Sequence, residues 1–215
     1  MLKSLIIQAL LFLYLLTNIS CAKTDKRIIT TIDNDGVLDT AYVITNEPTF
    51  NDEFKYRCAR ANKTWNLNLD TLEFGFNTLQ IRIWLGHTMA RVNYVVVLKR
   101  VNKQWFGLLY KLKRHETGYE SEVENIKPKE GWGNLIDSLD KLKLFSIDNS
   151  LDSKEYDGNG GGDVPFHIVE VSTPTKYHSY EYDILEGYTE KFWQVKNVHL
   201  ISELLVHEFG FDYTR

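Results

Sequence analysis

The stretch Thr31-Ile32-Asp33-Asn34-Asp35-Gly36-Val37-Leu38-Asp39 gathers the oxygen donors that a hard divalent cation requires. Ca²⁺ takes six or more oxygens from a tightly curled loop. With alternate positions pointing inward, Thr31, Asp33, Asp35, the Val37 carbonyl and Asp39 are the candidate ligands. Gly36 allows the sharp bend after the third of them. The same residues also suit an Asp-Gly hairpin turn whose carboxylates cap backbone amides. Either reading gives the loop a structural role, and Ca²⁺ is the one cofactor the sequence suggests.

Other chemistry-bearing residues are weaker candidates. The cluster Asp157-Gly158-Asn159-Gly160-Gly161-Gly162-Asp163 has the glycines of a phosphate loop. It lacks a following Lys-Ser/Thr and opens into a strand pattern, so it reads as a polar loop. His199, Glu203 and His207 recur every four residues and share one side of a helix. Two imidazoles and a carboxylate could hold zinc, but Ser202 and Glu208 extend the same polar side, which reads as a solvated face. Glu170, Glu181 and Asp183 lie in one hairpin pattern, and alternation puts Glu181 and Asp183 opposite Tyr180, Tyr182 and Ile184. Paired carboxylates are the tools of glycan hydrolysis, though an outward polar face is the commoner cause. No Gly-x-Ser-x-Gly elbow is present, and Cys58 has no recognisable His partner. No catalytic residue is assigned.

These side chains must be positioned by short strands and two principal helices. Residues 27–32 and 37–44 read as strands joined by the Asp33–Gly36 turn. Residues 46–70 look irregular, with Trp65 and Leu67 tucked inward. Leu79, Ile81, Ile83 and Leu85 alternate with Gln80, Arg82 and Trp84, the period of a half-buried strand. Val92–Lys99 and Trp105–Leu112 form a hairpin across Val101-Asn102-Lys103-Gln104. Residues 114–130 read as a charged loop. Trp132, Leu135, Ile136, Leu139 and Leu142 carry helical spacing. Phe166–Ser172 and Lys176–Ile184 make a second hairpin, and a last helix runs from about Thr189 to Phe209, with Gly210 as terminator. The expected class is α+β: an antiparallel sheet, built from a meander and a second hairpin, with two main helices packed on one face and the other face partly solvated. Trp84, Trp105, Tyr180 and Tyr182 are the aromatics that such a sheet could expose for binding.

The N-terminus states an address. Lys3 precedes an apolar run from Leu5 to Leu16, interrupted by Gln8 and closed by Thr17 and Asn18. That length suits a signal peptide and falls short of the ~20 residues a bilayer span needs. Ile19-Ser20-Cys21 resembles the lipobox of bacterial lipoproteins, which implies lipid on Cys21 and attachment to the membrane. The departure is Asn18, where that family carries an aliphatic residue, and Ser20-Cys21-Ala22 also suits ordinary cleavage before Lys23, leaving a secreted chain. Residues 1–21 are thus the expected signal peptide and 22–215 a single α+β domain. Losing Lys3 with the leader makes the net charge of −4 one unit more negative. An acidic chain without a basic stripe argues against nucleic acid as partner. With 4 Pro and no low-complexity tract, extensive disorder is not expected either.

Two resemblances add to this reading. The Asp-rich loop is similar to the calcium loops of FG-GAP-type repeats and EF-hand-like modules over nine residues, departing at Thr31 and at Tyr42, where an EF-hand carries Glu. The segments 79–86, 105–110 and 170–180 are similar to exported proteins of the Bacteroidota that have no assigned activity. That likeness spans about residues 70–210 and implies compartment and fold without implying a reaction. The functional expectation is a lipid-anchored, non-catalytic binding module of the outer membrane or periplasm, with a protein or glycan partner. An envelope hydrolase using the hairpin carboxylates is the alternative.

Overall fold

A computed structural model describes residues 29–32, 38–41, 67, 69, 70, 72, 78–87, 90–150, 156, 164–174, 177–185 and 187–213. Strands β1 (Ile29–Ile32) and β2 (Leu38–Ala41) form a two-stranded antiparallel sheet in which Thr31 lies opposite Asp39. The strands β3 (Leu79–His87), β4 (Val92–Val101), β5 (Gln104–His115) and β6 (Gly118–Ile126) then run as a meander. Helix α1 (Trp132–Lys141) follows. Strand β7 (Pro165–Ser172) then pairs with the free edge of β3, and β8 (Tyr177–Asp183) pairs with β7. The order β6-β5-β4-β3-β7-β8 is antiparallel throughout, so the chain forms the α+β class and the antiparallel sheet that its patterning predicts. Helices α2 (Tyr188–Lys191) and α3 (Trp193–Phe209) close the chain.

Each strand face has its own core. On one face Ile81, Ile83, Val96, Leu109, Val169 and Tyr180 share a hydrophobic cluster with Leu135 and Leu139 of α1 and Val198, Ile201 and Leu205 of α3. On the other, Trp84, Val95, Val97, Leu112, Ile168 and Tyr177 cluster with Leu67 and Leu72. The second face is therefore covered at its centre, where alternation alone predicts partial solvation. Gln80 and Arg82, polar members of an apparently half-exposed strand, are buried there. Period two shows only that two faces differ, not that the polar one meets water.

Two element boundaries differ from expectation. The charged stretch after Leu112 is strand, with β5 reaching His115 and β6 pairing from Gly118 to Ile126. Almost every β6 side chain is exposed, so no hydrophobic period marks it, and its glutamates suit an edge that must resist further pairing. The last helix is broken at Phe192, whose backbone is extended (φ −119°, ψ 118°). That residue buries its ring edge-on to Tyr156 and Tyr188, at centroid distances of 5.4 and 5.3 Å. Gly210 ends α3 at φ 71°, its N–H donating to the Val206 carbonyl at 2.8 Å.

Candidate functional site

The sequence-derived candidates are scattered. Asp33 and Asp35 lie outside the described residues, as do Cys21, Cys58 and the glycine loop. Thr31 and Asp39, the ends of the candidate calcium loop, are brought directly opposite one another by the β1–β2 register. Among the described residues no group of three or more His, Cys, Asp or Glu is arranged to hold a metal ion. His199 Nε2 meets Glu203 Oε1 at 3.2 Å, and His207 points to Glu208 instead, at 3.7 Å. Glu208 and Ser202 are buried rather than part of a solvated stripe. A Glu208 carboxylate oxygen accepts the Glu130 N–H at 2.9 Å, while its carbonyl accepts from Lys129, fastening α3 to the turn before α1.

The aromatic candidates divide sharply. Trp84, Tyr180 and Tyr182 are at most 1% exposed and belong to the cores, so they cannot form a binding surface. Tyr180 and Tyr182 donate their hydroxyls to the Leu144 and Asp148 carbonyls, at 2.9 and 2.8 Å. These bonds tie the segment after α1 to β8. Trp84 Nε1 donates to Glu170 Oε2 at 2.6 Å, and the Tyr177 hydroxyl donates to Glu170 Oε1 at 2.9 Å. Both carboxylate oxygens of Glu170 are thus engaged inside the sheet, directly across from Arg82 in the β3–β7 register. With its amide oxygen turned toward the guanidinium, Gln80 accepts from Arg82 Nε and Nη2 at 2.7 and 2.8 Å. Ser172 Oγ donates to the Leu72 carbonyl at 3.0 Å, bonding this polar centre to the segment above it. Burial pushes the Tyr110 hydroxyl above its ordinary pKa, with Arg82 drawing it back and Asp70 adding to the rise. A buried carboxylate with two donors and a cation opposite is a satisfied structural network. Glu181 and Asp183 share its face of the sheet but sit farther out along β8.

Trp105, the remaining aromatic candidate, lines a cavity. A cleft of about 930 Å³ is lined by Lys103, Gln104, Trp105, Phe106, Gly107, Asn125, Ile126, Lys127 and Trp132. Asn102 and Lys103, at φ 51° and 65°, make the two-residue turn that starts β5 at this end. Trp105 and Trp132 are stacked, with ring centroids 6.3 Å apart and planes 21° apart. Phe209 of α3 supports Trp132 from behind at 6.4 Å. Gly107 makes the arrangement possible. A Cβ there would stand 2.8 Å from Ile126 Cγ1 and 2.9 Å from the Trp132 ring, so any side chain would lever Trp132 outward. Phe106, on the opposite strand face, is 52% exposed. Residue spacing alone casts Trp132 as helix core, Phe106 as strand and Lys103 as hairpin connection, and gives none of them, nor Lys127, a part in a site. The available signal is the pair of consecutive aromatics at a strand end, which must point to opposite faces. Comparison of the chain with protein-family models, curated proteins and solved structures gives no match.

Proposed function

We propose that this chain is an exported, lipid-anchored binding module of the bacterial envelope, and that its ligand lodges in the cleft between β5, β6 and the start of α1. The observation that carries the reading is the stacked, half-buried Trp105–Trp132 pair beside exposed Phe106. Indole rings held by packing offer wide contact area at small entropic cost, and aromatic anchors dominate interface energetics. The leader supports the location: Lys3, the run to Leu16 and Cys21 have the order of a lipoprotein signal. Contact is favoured over hydrolysis because Glu170 is committed to Trp84 and Tyr177.

Two measurements test the proposal. Cells fed labelled palmitate should label the wild-type chain and not Cys21→Ala, and an unlabelled wild type overturns the anchor. Envelope extracts passed over the wild type should yield a partner that Phe106→Ser fails to retain. Equal retention by both proteins overturns the cleft as the contact site. Because Phe106 is largely solvated, the substitution should leave the melting temperature unchanged.

A further inference from the structure

β5 is paired on both sides only from Gly107 onward. Its pairing with β4 extends from Gln104 to Lys113, whereas its pairing with β6 runs from Gly107 to His115. Among the described residues, Gln104, Trp105 and Phe106 therefore have a neighbouring strand on one side only, and this stretch of open edge is the floor of the cleft. The chain leaves the line of β6 after Ile126, where Lys127 and Pro128 carry it toward α1. A strand's backbone groups alternate between its two neighbours, so an extended segment laid in line with β6 would continue the ladder. Its alternate side chains would fall on opposite faces, one set beside Trp105 and Trp132, the other beside the exposed Phe106.

Charge identifies the segment further. A lysine stands at each end of the open stretch, Lys103 before Gln104 and Lys127 after Ile126, and among the described residues none that lines the cleft is acidic. That is a local reversal in a chain of net charge −4. Resting on the binding reading above, we infer that the cleft takes an extended peptide segment with an apolar centre and carboxylates at its ends, added as a short strand beside Gln104–Phe106. Three residues of edge span ~10 Å, so main-chain pairing is brief and the aromatic and lysine contacts must supply much of the affinity.

The test uses the full-length chain in detergent and a fluorescein-labelled hexapeptide, two Asp, Leu-Phe, two Asp. Three other probes run alongside it: the same peptide with Lys for Asp, the same peptide N-methylated at Leu and Phe, and a labelled acidic oligosaccharide. The acidic peptide should bind saturably. Charge reversal, N-methylation, or Lys127→Glu in the protein should each weaken it by about tenfold or more, since each removes a charge pair or a ladder bond. Binding that ignores N-methylation overturns strand addition, and binding that ignores charge reversal overturns the role of the lysines. Oligosaccharide binding without peptide binding overturns this inference while leaving a binding cleft in place. If neither probe class binds and Trp105 fluorescence is unmoved by both, this inference and the cleft's role fall together.

Discussion

Glu170 shows how a residue's type can suggest one role and its surroundings impose another. A carboxylate on a strand next to Glu181 and Asp183 reads as an acid/base candidate, yet its oxygens accept from Trp84 Nε1 and the Tyr177 hydroxyl in the interior. Removing it would leave two buried donors unsatisfied and Arg82 without the anionic side chain that faces it. Glu170→Ala should therefore cost about 3–5 kcal/mol, read as a fall in the denaturation midpoint, while Glu170→Gln should cost less because it still accepts hydrogen bonds. A Glu170→Ala loss within experimental error would show that the network is ornamental. His178 makes a second, pH-dependent contribution. Burial holds its imidazole below the ordinary histidine pKa, with the Ile147 carbonyl, 2.9 Å from Nε2, and Asp148 pulling the other way. The unfolded chain therefore takes up this proton at a higher pH than the folded one does. The contribution is complete above about pH 6.5 and is lost as pH falls through the folded pKa. The melting temperature should drop between pH 7 and pH 5, and His178→Gln should flatten that slope. Parallel profiles for the two proteins would assign the acid sensitivity elsewhere.

Elements were readable where one face differs from the other and unreadable where both are alike. Residues 79–85 announce β3 through alternation, and Leu135, Ile136 and Leu139 announce α1 through helical spacing, because each sequence carries the period of its burial. Strand β6 carries none, since nearly all of it meets solvent and Ile126 at its end is its one buried residue. The break before α3 is equally silent: nothing in residues 189–209 marks Phe192 as extended until its ring is seen against Tyr156 and Tyr188. The cleft was half readable. Trp105 stands out as an aromatic on the sheet, but Trp132 joins it only because β6 ends early and the chain turns over Gly107. The β4–β5 turn offers the most direct control over this region. Lys103 adopts φ 65°, a conformation that costs a side-chain-bearing residue roughly 1–2 kcal/mol and glycine little. Lys103→Gly should raise stability by about 0.5–1 kcal/mol, after the entropy of the freer chain is deducted. It should at the same time weaken acidic-peptide binding, because it removes one cleft lysine. A variant less stable than wild type would mean that the lysine side chain contributes more to the hairpin than its backbone strain takes away.

The six-stranded sheet has apolar clusters on both faces, and among the described residues β1 and β2 form a separate sheet, pairing only with each other. That contrast gives the calcium proposal its physical weight. A two-stranded hairpin is marginal in water and needs a further source of stability, and the Asp33–Gly36 connection of this one carries two carboxylates, with Asp39 close behind. The register sets Thr31 opposite Asp39, so the ends of the proposed ligand loop are already held together by the strands that flank it. Closing such a loop on Ca²⁺ would charge its entropic cost to the hairpin rather than to the metal. Saturation at a hundred times the dissociation constant would stabilise the liganded form by about 2.7 kcal/mol. Because β1–β2 is a separate sheet, the effect should be local. Ca²⁺ should slow amide exchange across residues 29–41, Asp35→Asn should abolish the slowing, and chelator should reverse it. The six-stranded sheet should exchange at the same rate in all three samples. Uniform protection of both sheets would mean that the hairpin is coupled to the main body, and unchanged exchange at residues 29–41 would leave Asp33, Asp35 and Asp39 as turn residues and nothing more.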